Sequence, residues 1–135
     1  MHRIEVIILR CDMSYEVKSV ENTEQALGKE IGGPLEAILN HNHELAAYRS
    51  VSARMHGSVE SQWTKFMSYR GYKISCGSPI LGDILLCRID EIGHHHSVSS
   101  TVKKNIADWR RLWTELDNWH NSIDVGASVT DAFIC

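Results

Sequence analysis

VENTEQALGKEIGGPLEAIL, residues 20–39, is the one stretch in which every local signal agrees, and the fold is built around it. Asn22 and Thr23 are helix N-cap types, and Glu24 and Gln25 follow in the first turn, where a carboxylate meets the positive helix end. Leu27 and Ile31 lie four apart on one face, with Ala26 beside them. Gly32 and Gly33 stop the helix, because glycine reaches a left-handed cap without a Cβ penalty. Pro34 blocks continuation, and Leu35 to Leu39 restart as a short apolar strand. The spacing predicts a helix over Thr23–Ile31. Gly28 inside it costs about 1 kcal/mol against alanine, which points to close packing on a sheet.

Upstream, RIEVIILR (Arg3 to Arg10) is β-branched and short, the pattern of a central strand. After a turn at Cys11-Asp12, Met13 to Val20 alternates as a second strand, antiparallel to the first because the connection is short. Downstream, Leu35–Leu39 and Leu45–Val51 flank the polar quartet Asn40 to His43, the pattern of a hairpin. SQWTKFMSY (Ser61 to Tyr69) spaces Trp63, Phe66 and Met67 for a short helix. A strand at Tyr72–Cys76 and a Gly77-Ser78-Pro79 turn follow. ILGDILLCRI (Ile80 to Ile89) is a buried strand bent at Gly82-Asp83, and GHHHSVSS (Gly93 to Ser100) is a polar loop.

The last element is a long helix from about Ser100 to Ile123. Val102, Ile106, Trp109, Trp113, Leu116 and His120 recur along one stripe, which Leu112, Trp119 and Ile123 widen. The fold class is α+β: one domain over residues 1–123 with an antiparallel or mixed sheet of about five strands, a short helix and a long C-terminal helix, then a tail over 124–135. The expected core is Ile4, Val6, Ile8, Leu27, Ile31, Leu35, Ile38, Ile84, Leu86, Ile106, Trp109 and Leu116.

A chain of 135 residues suits one such domain and needs no covalent staples. A formal net charge of −3 argues against a general nucleic-acid binder, which is usually basic. Cys11, Cys76, Cys87 and Cys135 form no C-x-x-C pair, so the strong zinc and redox spacings are absent. The first residues carry no signal-peptide pattern, and the apolar runs are too short for a membrane span. These features lead us to expect a cytoplasmic protein with reduced thiols.

Three constellations could carry function. The tryptophan stripe of the long helix either fills the core or leaves part of itself for a partner or a second copy of the chain. The partner set is Trp109, Arg110, Arg111, Trp113, Glu115, Asp117 and Trp119, since tryptophan and arginine are enriched at binding hot spots. The helix start gathers His94, His95, His96, Ser99, Ser100, Lys103 and Lys104, residue types that would attract a phosphate or nucleotide. The lysines oppose the helix dipole there, and Glu115 and Asp117 oppose it in the later turns. Two His-x-His pairs, His41/His43 and His94/His96, are weak metal candidates, because alternate residues of an extended segment face one way. Against them, both segments look like exposed polar loops, where histidine is common. No nucleophile motif, Walker loop or dinucleotide fingerprint occurs, and the Gly28, Gly32, Gly33 run ends a helix where a phosphate loop would precede one. A buried, inert cysteine is the expectation for Cys76 and Cys87.

Glu21, Asn22, Thr23, Leu27, Ile31, Gly32, Gly33, Leu35 and Glu36, with the later glycine-bearing strand Gly77 to Leu86, resemble the phage and mobile-element family called domain of unknown function 3846. The resemblance covers about residues 3–90. In this chain the family's acidic hairpin and Leu-Asn-Arg turn are replaced by HNHELAAYRSVSARMHG, and the tryptophan-rich final helix lies outside its pattern. The resemblance implies phage or mobile-element origin and supplies no catalytic residues. The resulting expectation is a non-enzymatic protein, without a cofactor, that binds and inhibits a host protein or ribonucleoprotein complex, such as a nuclease-based (CRISPR-type) defence. The alternatives are a binder that sequesters a nucleotide signal and a histidine-rich metal protein.

Overall fold

The computed structural model describes residues 2–39, 45–52, 61–69 and 80–122. The elements run β1 (Arg3–Leu9), β2 (Tyr15–Glu21), α1 (Glu24–Glu30), β3 (Leu35–Ala37), β4 (Ala46–Ser50), α2 (Trp63–Tyr69), β5 (Ile84–Ile89), β6 (His95–His96) and α3 (Ser100–Ser122). Among the described residues the sheet is six-stranded and antiparallel, ordered β2-β1-β5-β4-β3, with β6 paired to β5. The α+β class follows directly. The strand expected at residues 72–76, the tail at 124–135 and the loop 40–43 lie outside the described residues.

The uninterrupted apolar run of β1 has a physical cause: both faces of the sheet are covered. Ile4, Val6 and Ile8 point to one side and join Leu27 and Ile31 of the α1 region. Ile7 and Leu9 point to the other and join Trp63, Phe66 and Met67 of α2 and Val102, Ile106 and Trp109 of α3. Val6 through Leu9 are fully buried. A strand buried on both faces loses the apolar–polar alternation of a half-exposed one.

The β1–β2 connection is a tight turn. The Arg10 N–H donates to the Ser14 carbonyl at 2.9 Å, and the Asp12 carboxylate accepts from the Ser14 N–H at 2.9 Å. Met13 takes the left-handed conformation, φ 69°, with its side chain buried in the larger core. That conformation costs a non-glycine residue about 1–2 kcal/mol, less than the gain of about 1.5–3 kcal/mol from burying a methionine.

Helix α1 starts as its sequence dictates: the Thr23 hydroxyl caps it by accepting from the Ala26 N–H at 3.1 Å. Gly32 follows at φ +91°. The close approach at Gly28 is to the chain's own turn and not to the sheet. A Cβ there would stand 2.5 Å from the Gly33 carbonyl oxygen. The turn folds back because the Gly28 carbonyl accepts from both Ile31 N–H (3.1 Å) and Gly33 N–H (3.0 Å). Gly33 in turn lies against β4, where a Cβ would meet the Ser50 Oγ.

Two further expectations are corrected. The segment expected as a loop at Gly93–Ser100 contains β6, which takes over the edge of β5 where β1 leaves it. β1 pairs with β5 through Ile84–Leu86, whereas Arg88 and Ile89 pair with His96 and His95. Leu35 and Leu116, expected in the core, are half-buried. Leu35 sits on the edge strand β3, and Leu116 lies beyond the part of α3 that reaches the sheet.

Candidate functional site

The histidine hairpin is built around Asp90. One carboxylate oxygen accepts from the Ile92 N–H (3.0 Å) and the His94 N–H (2.9 Å), while Gly93 turns the chain at φ +91°. The other oxygen is 2.8 Å from the His96 Nε2. The His96 bond, then the His94 backbone N–H, hold the Asp90 carboxyl down at about 2. Strand alternation sends His95 to the opposite face from His96. There its Nε2 lies 2.8 Å from the Tyr48 hydroxyl, with the rings edge-on at 5.3 Å. Burial lowers the His95 pKa, opposed by the nearby charge of Glu24, and burial raises the Tyr48 phenol to about 12.

Five of the seven residues expected to form an anion-binding helix entrance are committed elsewhere. Ser99 caps α3, its hydroxyl accepting from the Val102 N–H at 3.2 Å and its carbonyl from the Lys103 N–H at 3.1 Å. Lys103, unfavourable beside the positive helix end, is ion-paired to Glu5 of β1. His94 and His96 face Asp90, and His95 faces Tyr48. Ser100 and Lys104 remain exposed. The structure does not gather the seven around a common point. His41 and His43 lie outside the described residues, and among the described residues no group of three or more His, Cys, Asp or Glu side chains could hold a metal ion.

The stripe of α3 divides along its length. Val102, Ile106 and Trp109 are buried, and Trp109 stacks on Phe66 with ring centroids 6.0 Å apart. Trp109 is thus a core residue, and its place in the expected partner set is corrected: only 4% of it is exposed. Trp113 is half-buried at the edge of the same cluster. Around it, Leu112 is 42% exposed, and Arg111, Glu115 and Asp117 face solvent. Arg111 lies 3.6 Å from Asp108 and 4.0 Å from Glu115, and Arg110 hydrogen-bonds Thr114 one turn on. Exposed pairs of this kind contribute little stability, so the buried half of the stripe holds the helix. The Trp119 side chain lies outside the described residues, although its backbone belongs to α3.

Open concavities lie beside α1 and over the Asp90 turn. The first, of about 780 Å³, runs over Gly28, Lys29, Gly32 and Pro34; the second, of about 630 Å³, lies over Arg88, Asp90, Ile92 and His96. Cys87 is buried, and burial pushes its thiol up to about 12, opposite to the shift that activates a thiolate nucleophile. Cys76 lies outside the described residues.

Several features escaped sequence reasoning: the Tyr48–His95 contact, the Glu5–Lys103 pair and the buried Arg49, whose Nη2 is 2.9 Å from Glu36. All join residues distant in sequence. The Asp90 turn is the exception, since an aspartate followed by Gly93 is itself a turn signal. Comparison of the chain with family models, with curated proteins and with solved structures finds no match in any of the three. No described helix is long and apolar enough to cross a membrane.

Proposed function

We propose that this chain is a non-catalytic protein of phage or mobile-element origin that binds a host protein or ribonucleoprotein complex and blocks it, with a nuclease-based defence complex as the target class. The observation that supports the reading is the outer half of α3. The helix is anchored by Val102, Ile106 and Trp109, and it runs on for about 13 Å past Trp113, at 1.5 Å per residue. Around the half-buried Trp113 the helix presents Arg111 and Leu112, and the extension adds Glu115 and Asp117. An aromatic anchor rimmed by an exposed leucine and both signs of charge has the composition of a binding hot spot. The origin rests on the sequence resemblance alone.

The test is a plaque assay in bacteria that express the chain and carry a nuclease-based defence. Wild type should restore phage plating by orders of magnitude. A variant combining Arg111→Ala, Leu112→Ala, Glu115→Ala and Asp117→Ala should fold and fail to restore it. Equal protection by wild type and variant would exclude this face as the inhibitory surface. No effect of wild type on any nuclease-based defence would remove the target class.

A further inference from the structure

Among the described residues strand β2 is an edge of the sheet and pairs with β1 alone. Its hydrogen-bonding phase can be worked out from its ends. The Asn22 N–H donates to the His2 carbonyl, and the Arg10 N–H donates to the Ser14 carbonyl. Antiparallel pairs alternate between hydrogen-bonded and non-hydrogen-bonded. In the register Ile4↔Val20, Val6↔Lys18, Ile8↔Glu16, the even-numbered residues of β2 therefore bond to β1. Tyr15, Val17, Ser19 and Glu21 turn their main-chain groups outward. Val17 also leaves an apolar side chain 42% exposed in the middle of the strand.

We infer that this edge pairs with β2 of a second copy of the chain, antiparallel, about a two-fold axis through Val17. Charge and hydrogen-bonding phase together favour that register over its two neighbours. Only odd-numbered residues can exchange main-chain bonds across the new interface, so the axis must lie at a residue and not between two. An axis at Glu16 would oppose Glu16 to Glu16, and an axis at Lys18 would oppose Lys18 to Lys18; like charges directly opposite are destabilising. The axis at Val17 sets each Glu16 opposite the Lys18 of the second copy. Those are non-hydrogen-bonded positions, where side chains stand closest. On the other face it stacks Val17 on Val17, with Tyr15 opposite Ser19.

The existing ion pairs extend naturally across this interface. Glu16 is already 3.3 Å from Arg10, and Lys18 is 2.9 Å from Glu30. Self-pairing would interleave them as Arg10, Glu16, then Lys18 and Glu30 of the second copy, alternating in sign. At the far end, the Arg3 guanidinium donates to the Ser19 carbonyl at 2.7 Å and to its hydroxyl at 3.1 Å. A carbonyl has two lone pairs, so Ser19 can still accept from the Tyr15 N–H of the second copy. Arg3 marks where the pairing ends. The interface uses the strand edge and not the outer half of α3, so it stands or falls separately from the host-binding reading.

The experiment is sedimentation velocity on the full chain from micromolar to millimolar concentration, with amide hydrogen exchange at both ends of that range. The expected result is a 15.3 kDa monomer that doubles in mass as concentration rises. Glu16→Lys alone and Lys18→Glu alone should each weaken the dimer by about tenfold or more, since two-fold symmetry repeats each clash. The combined swap Glu16→Lys, Lys18→Glu should recover most of the affinity. In the wild-type chain, which needs no substitution to fold, the Val17 amide should exchange slowly in the dimer and freely in the monomer. A monomer at millimolar concentration, a dimer insensitive to both single substitutions, or a Val17 amide whose exchange does not follow concentration would each overturn the proposal.

Discussion

Replacing Gly28 by alanine sets two opposed effects against each other, and the structure says which wins. Helix propensity favours alanine by about 1 kcal/mol. The added Cβ, however, would stand 2.5 Å from the Gly33 carbonyl oxygen and 3.3 Å from the Gly33 carbonyl carbon. Carbon and oxygen in contact normally keep about 3.3 Å or more, so the overlap approaches 1 Å. The obstructing atom is main chain, and the turn that carries it is pinned. The Gly33 N–H bonds to the Gly28 carbonyl at 3.0 Å, and the Pro34 carbonyl accepts from the Val51 N–H at 3.0 Å. Relief requires the turn to shift against those bonds and its contact with β4, and overpacking of this kind costs about 1–3 kcal/mol. We expect Gly28→Ala to destabilise the chain by up to about 2 kcal/mol, the overpacking cost less the propensity gain. Urea unfolding followed by circular dichroism should show the midpoint falling by up to about 1 M, for a slope near 2 kcal/mol per molar. A midpoint equal to or above wild type would show that the turn yields cheaply, and the reasoning from the Gly33 contact would fail.

Other outcomes follow from the same geometry. Trp109→Ala should cost about 3–5 kcal/mol by emptying a buried site, whereas Leu112→Ala, three residues on but exposed, should stay within about 0.5 kcal/mol; thermal melts of the two variants check the contrast. Burial lowers the His95 pKa, so the folded chain binds that proton less readily than the unfolded one. Stability that comes from keeping His95 neutral is complete above the ordinary value of 6.5 and is lost as pH falls through the lowered folded value. The stability gap between wild type and His95→Phe should therefore shift against wild type from pH 7 to pH 5; a gap that stays constant would contradict the burial of that ring. With its thiol pushed up to about 12, Cys87 should resist iodoacetamide in the native chain and react once urea unfolds it, as peptide mass mapping would show. Asp90→Ala should speed amide exchange at Ile92 and His94, whose N–H groups lose their acceptor, while the β1–β2 ladder keeps its protection.

Much of the fold was legible because local chemistry specifies it. Thr23, Gly32 and Pro34 bound α1 whatever lies around them, and the spacing of Val102, Ile106 and Trp109 declares α3. The candidate site was less legible. Seven polar residues near the start of α3 look like one anion-binding cluster in sequence. In space they divide, because adjacent residues of β6 face opposite sides and because Glu5 and Tyr48 arrive from other strands to meet Lys103 and His95. The tryptophan stripe is one pattern in sequence and two environments in the structure, since among the described residues the cluster that receives α3 stops at Trp113.

The sequence by itself determined where helices begin and end and which strands are apolar enough to be central, because caps, glycine and proline act within a few residues. Tertiary structure alone decided that the sheet is covered on both faces and that β2, among the described residues, is left at an edge. Those outcomes depend on which distant segments meet. Burial and hydrogen-bond pairing are properties of that meeting, and no local pattern encodes them.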